Sequence, residues 1–265
     1  MPDLDIKSET IDKTIDVIAD STKETRNALD TNNAKGINKF FELLKSTPVG
    51  IKIDSYIAER PYKLELEIKR IKEKYNKIPE QNQAEPSAYI AFQTINNLNY
   101  TLDEKHLKEM FENLLVSDMD SRKKEHVSPT YVNMIQQLTK DDAEFLQNLK
   151  NKQLIKSLPI IRIKLVENNS GNFGYLTPNI ICLPNQSYII IPNMVLENLL
   201  RLKIIEIPFG EHLADITDYE DTFNTLKKEP ELIIAENIPN KHLKIQKKKL
   251  EFTDSGKNFI DICLS

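Results

Sequence analysis

The residues best equipped for nucleophilic, acid–base or metal chemistry are four histidines, His106, His126, His212 and His242, and two cysteines, Cys182 and Cys263. A nucleophile needs a base within hydrogen-bond reach, and a metal needs ligands at fixed spacing. Neither pattern is written in this chain. The cysteines stand far apart with no CxxC spacing or histidine companion, which predicts buried free thiols. His126 follows Asp118 and Asp120 closely, so it is the histidine to consider as acid, base or ligand, against a role as a surface residue bracing a loop. The segment from Ser170 to Gly174, SGNFG, lacks the Gly-Lys-Ser/Thr of a phosphate-binding loop. The expectation is no self-contained catalysis, no cofactor and no metal.

The elements that position these residues are clearest between Thr101 and Leu149. Thr101 and Glu104 have the spacing of a capping box, predicting a helix from Leu102 with Leu107, Met110, Phe111, Leu114 and Leu115 on one stripe. Asn113 lies at the edge of that stripe, where a polar group must find partners or lose about 1–3 kcal/mol. Backbone in the next helix is its expected partner. Ser128 followed by Pro129 marks a second start, because proline has no N–H to lose in a first turn. Tyr131, Val132, Ile135 and Leu138 form the buried face behind it. Thr139 and Asp142 repeat the capping logic for a third helix carrying Phe145, Leu146 and Leu149.

Earlier residues also read as helical, over 8–30, over Ile37 to Leu44, and from Thr47-Pro48 onward. Leu64, Ile68, Ile71, Tyr75 and Ile78 form a heptad seam flanked by charges that include Glu65, Glu67 and Lys74. Pro61 must kink or split this element. A polar connection over 79–87 leads to a helix formed by Ala88, Ala91, Phe92, Ile95 and Leu98. Near Leu158 the pattern becomes β-branched, predicting strands over 160–166, over Tyr175 to Leu183 and over Tyr188 to Ile191. A helix opens at Pro192-Asn193, IIEIP follows as a strand, Leu243 to Phe252 offers one or two more, and Thr253-Asp254 caps a closing helix. The fold class is therefore α-rich α+β. It divides into a helical arm or hairpin (1–85), a helical core (86–157) and a mixed region resembling a winged helix (158–265).

Net charge is −4, and the acidic excess lies in residues 1–150, with 22 basic and 26 acidic side chains; the remainder holds 14 of each. A globally basic nucleic-acid binder is not indicated. Locally, Lys241, Lys244, Lys247, Lys248 and Lys249 cluster, and on a wing they could meet phosphates. The helix that would enter a groove offers only Arg201 and Lys203 beside Glu197, which equips it poorly to read base edges. The acidic start MPDLDIKSET lacks the apolar run of a signal peptide. No stretch approaches the roughly 18 apolar residues of a membrane span. A cytoplasmic location is expected by default.

FENLL followed by SDMD and then HVSPTYVNMIQQLTKDDAEFL resembles the abortive infection alpha (Abi-alpha) family of bacterial proteins, named for a proposed role against phage. Asn113, Leu114, Leu115, Met119, Asp120, His126, Val127, Pro129, Leu138, Thr139, Asp142 and Ala143 are the matching positions. A second segment matches at Asn198, Leu199, Arg201, Leu202, Ile204 and Ile205, and a third at Leu250, Thr253, Gly256, Phe259 and Cys263. Where the family usually has glycine, Lys203 stands. The resemblance implies a defence protein and brings no agreed catalytic residues. Its partner is expected to be an unidentified macromolecule, a host or phage protein ahead of nucleic acid, and homo-oligomers are possible. A winged-helix DNA-binding regulator using Arg201, Lys203, Lys244, Lys247, Lys248 and Lys249 is the alternative.

Overall fold

The computed structural model describes residues 60–101, 103–214 and 217–264. The helices expected over 8–30 and 37–44, and the start expected at Thr47-Pro48, lie outside the described residues. Those described form nine α-helices and six strands, a mixed α+β chain. They fall into two compact units, Leu138–Asp261 being one and the residues up to Gln137 together with Ile262 to Leu264 the other. No helix among them is long and apolar enough to cross a membrane.

The helical unit contains α1 (Arg60–Tyr75), α2 (Ala88–Thr101), α3 (Lys105–Asp118) and α4 (Thr130–Gln137). Apolar residues three and four apart turn one stripe of each helix inward: Ile71 and Tyr75 from α1, Ile90 and Leu98 from α2, Met110, Phe111, Leu114 and Leu115 from α3, and Val132 and Ile135 from α4. Each such buried side chain contributes about 1.5–3 kcal/mol relative to exposure. Pro61 sits in the first turn of α1, where its missing N–H costs nothing. Ser128 accepts a hydrogen bond from the Thr130 N–H through its hydroxyl and opens α4.

Two expectations are corrected here. Thr101 does not cap α3: it ends α2, its hydroxyl donating to the Asn97 carbonyl, and α3 starts at Lys105 without a side-chain cap. A hydroxyl four residues after a free carbonyl has a partner in its own helix, and this competes with capping. Glu67 is buried instead of flanking.

The second unit begins with α5 (Lys140–Asn151), capped by the expected box. The Asp142 N–H donates to the Thr139 hydroxyl, and the Asp142 carboxylate accepts from the Thr139 N–H. A sheet follows with strands β1 (Leu158–Glu167), β2 (Phe173–Tyr175), β3 (Asn179–Cys182), β4 (Tyr188–Ile191), β5 (Ile205–Glu206) and β6 (Lys241–Phe252). Their order is β4-β3-β1-β6-β5, with β2 also paired to β1, and every pairing is antiparallel. Tyr175 to Leu183 is thus two strands and not one, divided at Leu176 to Pro178. The β3–β4 hairpin turns through Asn185 and Gln186, both at positive φ, as a type I′ turn requires.

Helix α6 (Asn193–Arg201) lies between β4 and β5, while α7 (Thr217–Leu226) and α8 (Pro230–Glu236) lie between β5 and β6. The expectations left α7 and α8 unassigned, although Tyr219, Thr222, Phe223 and Leu226 recur at helical intervals and Pro230 occupies a first turn. One sheet face packs against them: Ile161, Ile163, Ile180 and Cys182 meet Tyr219, Leu226 and Leu232. Tyr219 is held by two backbone bonds, its hydroxyl donating to the Lys248 carbonyl and accepting from the Leu213 N–H. Helix α9 (Asp254–Cys263) closes the chain, its first turn capped by the Thr253 hydroxyl, which accepts from the Gly256 N–H.

Two helices end in Schellman geometry without glycine. After α5, Gln153 (φ 56°) donates to the Lys150 carbonyl and Leu154 to that of Leu149. After α6, Lys203 (φ 56°) donates to the Leu200 carbonyl and Ile204 to that of Leu199. Lys203 thus keeps the left-handed backbone that suits the family's glycine. The Ile204 carbonyl then faces Gly256, where an added Cβ would lie 2.0 Å from the Ile204 oxygen. Gly256→Ala should therefore lower unfolding free energy by at least about 1–3 kcal/mol. Lys203→Gly should leave it unchanged or raise it by up to about 1 kcal/mol. Urea midpoints test both, and an unshifted midpoint for Gly256→Ala would sink the close-approach account.

Candidate functional site

In the helical unit, charge is buried where α1 crosses α3. Glu67 and Glu112 are 4% and 1% exposed. Lys108 Nζ lies 2.7 Å from Glu67 Oε1, and Arg70 adds a 3.1 Å contact to the same carboxylate. Lys74 Nζ stands 2.7 Å from Glu112 Oε2 and donates to Asn113 Oδ1, also at 2.7 Å. The Asn113 amide in turn donates to the Cys263 carbonyl at 3.0 Å, and the Ser117 hydroxyl to that of Ile262. Asn113 therefore finds a backbone partner as its position requires, at the end of α9 instead of in the next helix. Leu114 and Leu115, its neighbours in the motif, are fully buried.

Burial, together with the adjoining Glu67 carboxyl, pushes Glu112 up to about 7. Burial works on Glu67 in the same direction, but hydrogen bonds from Glu112 and Lys108 outweigh it and hold Glu67 below the usual carboxylate range. Below about pH 7 the pair thus favours a proton on Glu112 and a charge on Glu67. Lys74 and Asn113 also line a cleft of about 270 Å³ with Lys77, Ser117, Asp120 and Lys123. Val116 completes its lining, so polar heads and apolar carbon share the wall.

The acid–base trio Asp118, Asp120 and His126 does not converge. Asp118 is buried and accepts from the Ser87 N–H, one residue before α2. Asp120 is gripped by Arg122, whose side-chain bonds keep its carboxyl ionised well below the usual range. The His126 side chain is 59% exposed, 3.4 Å from Glu125. Pro129 precedes the first turn of α4. Thr139 and Asp142 cap α5, and the Asp142 carboxylate also accepts from Asn198 on α6, joining two of the family-like segments. Both cysteines are buried and outside any disulfide, and burial pushes the Cys182 thiol up to about 12. Among the described residues no three His, Cys, Asp or Glu side chains are grouped to hold a metal ion.

The remaining named residues lie in the second unit. Arg201 donates to Asn198 Oδ1, and Lys203 forms the left-handed turn. On α6, Val195, Leu196 and Leu199 are buried. The lysines of β6 belong to a strand paired along its length, so alternation divides them between two faces. Lys247 and Lys249 share the face of Leu243 and Ile245, and pair with Glu220 and with Glu211 and Glu251. Lys244 and Lys248 take the opposite face, beside Arg162 and Lys164 of β1 and Phe173 and Tyr175 of β2. Arg162 stacks 3.6 Å above the Tyr175 ring, and Lys164 lies 3.9 Å above Phe173.

Sequence reasoning missed both assemblies. The buried cluster was readable as charges inside apolar stripes: Glu67 and Lys74 lie four residues before Ile71 and three after it, and Glu112 follows Phe111. The mixed face required a register that no single strand reveals.

The family model described as abortive infection alpha matches residues 59–263. No curated protein and no solved structure matches the chain.

The raised Glu112 fixes a sign for pH dependence. Its folded value lies above the unfolded one, so its contribution is complete below about pH 4.5 and is lost as pH rises towards 7. The full effect amounts to about 3 kcal/mol at most. Relative to Glu112→Gln, the natural chain should lose stability steadily from pH 5 to 8. Urea unfolding across that range checks it, and a constant difference between the two proteins would refute the assignment.

Proposed function

The chain belongs to the abortive infection alpha family, and on that premise we propose that it is a cytoplasmic antiphage protein that acts by binding another macromolecule and carries no catalysis of its own. One observation supports the binding part of the reading: most residues of the family-like segments are spent on architecture. Asn113 ties α3 to the Cys263 carbonyl, and Thr139, Asp142 and Asn198 join α5 to α6. Thr253 caps α9 and Gly256 admits the Ile204 backbone. Such residues specify a scaffold, and a scaffold works through the surface it presents. Among the described residues, the sheet face of Arg162, Lys164, Phe173 and Tyr175 presents such a surface.

A winged-helix regulator reading duplex DNA finds less support. Its recognition helix would be α6, whose apolar residues are buried and whose Arg201 is bonded to Asn198. Two of its wing lysines, Lys247 and Lys249, are matched by glutamates.

Efficiency of plaquing over a phage panel, on cells with and without the protein, tests the reading when host survival is scored at high phage excess. Restriction with poor host survival is expected. If no phage is restricted, or if restricted cultures survive at full viability, the abortive-infection role is lost.

A further inference from the structure

Cross-strand pairing places four cationic side chains on one face of the sheet. Lys164 of β1 stands opposite Lys244 of β6, Arg162 opposite Gln246, and Ile160 opposite Lys248. On the other edge of β1, Lys164 is opposite Tyr175 and Val166 opposite Phe173. Residues directly opposite in an antiparallel pair share a face, so Arg162, Lys164, Lys244, Lys248, Phe173 and Tyr175 form one surface. Lysines on the reverse face of the same strand are each matched by carboxylates: Lys241 by Glu167, Lys247 by Glu220, and Lys249 by Glu211 and Glu251. Among the described residues none of the four cations on the aromatic face makes an ion pair. Lys164 and Lys244 are like charges directly opposite, an arrangement that destabilises a sheet. Crowding is felt at Lys248, where burial and the charges of Arg162 and Lys164 depress the ammonium pKa.

The aromatic pair is also unusual for a folded surface. Phe173 is 53% exposed and Tyr175 40%, on a three-residue strand that is exposed throughout. Their rings meet edge to face with centroids 5.5 Å apart. Arg162 and Lys164 brace them from one side, and the Tyr175 hydroxyl donates to Gln246. Rings held this way lose little freedom when a flat ligand stacks on them. Lys244 and Lys248 are separated by about 13 Å along the strand, a span that tracks an extended polyanion and not a single phosphate.

We infer that this face binds single-stranded nucleic acid, the cations tracking the phosphates and Phe173 and Tyr175 stacking on unpaired bases. Duplexes bury their bases within their own stack and leave exposed rings unused, so the aromatic pair selects for single strands. The inference rests on the reading that the protein acts by binding through this face, and it names the ligand.

Fluorescence anisotropy of the full chain with a labelled 20-nucleotide oligo-U RNA and oligo-dT DNA, beside a duplex of the same length, tests it at 50 and 200 mM salt. Single strands should bind more tightly than duplex, and binding should weaken with salt. Phe173→Ala or Tyr175→Ala should weaken single-strand binding about tenfold. Lys244→Gln with Lys248→Gln should weaken it and flatten the salt dependence, while Lys247→Gln on the reverse face leaves both unchanged. Absence of single-strand binding at 50 mM salt overturns the inference. Equal binding of duplex with no effect of the ring substitutions does so too, as does binding to phosphatidylserine vesicles without binding to either oligonucleotide. Plaquing with the same variants separates the two readings. If restriction needs the face but no oligonucleotide binds, the ligand is wrong and the binding surface stands. Oligonucleotide binding with restriction untouched by the variants upholds the ligand and removes this face from the antiphage role.

Discussion

The antiparallel ladder between β1 and β6 is the constraint on which the second unit depends. It runs without a break from Leu158 opposite Leu250 to Glu167 opposite Lys241. Strict alternation along so long a pair leaves no freedom about which side chains share a face. Isoleucines 161 and 163 are committed to the helices α7 and α8, so Arg162 and Lys164 are committed to the reverse. A one-residue slip would bury cations under Tyr219 and expose the isoleucines. The apolar core and the charged surface are thus two outcomes of one register.

In the helical unit the equivalent constraint is electrostatic. Removing two carboxylates from water costs several kcal/mol each unless partners are supplied. The unit meets that cost with Lys108 and Arg70 at one carboxyl and Lys74 at the other, and by leaving a proton on Glu112. Such a cluster fixes the pairing of α1 with α3 more sharply than apolar contact does, because an unpaired charge penalises every other alignment. Lys74 belongs both to this cluster and to the cleft beside it, so the protonation of a hidden carboxyl reaches the surface through one side chain.

Local chemistry was legible wherever it acted within a few residues. The Thr139/Asp142 box, the opening of α4 at Ser128-Pro129, the start of α6 after Pro192 and the Thr253 cap of α9 are short-range signals that spacing alone reveals. The change from helical to mixed structure near Leu158 followed from a shift to β-branched residues. Thr101 misled because a hydroxyl serves equally well at the end of one helix or the start of the next. The site was less legible. Lys244 and Lys248 could be read as basic, but Arg162 and Lys164 lay eighty residues away in an apparently ordinary strand. Phe173 fell between two expected strands. Only pairing across β1 shows that these belong together.

The bond from Asn113 to the Cys263 carbonyl also has a bearing on synthesis. The helical unit is discontinuous: its bulk precedes Leu138, and its closing residues, from Ile262, leave the ribosome only after the entire second unit has been made. Until then Asn113 and Ser117 lack the carbonyls they bond in the finished protein, at about 1–3 kcal/mol for each buried group left unmet. A nascent chain stalled anywhere in the second unit therefore carries an incomplete helical unit. The Ile262 and Cys263 carbonyls are the clasp, so the part made first reaches its full stability only after the second unit has been synthesised.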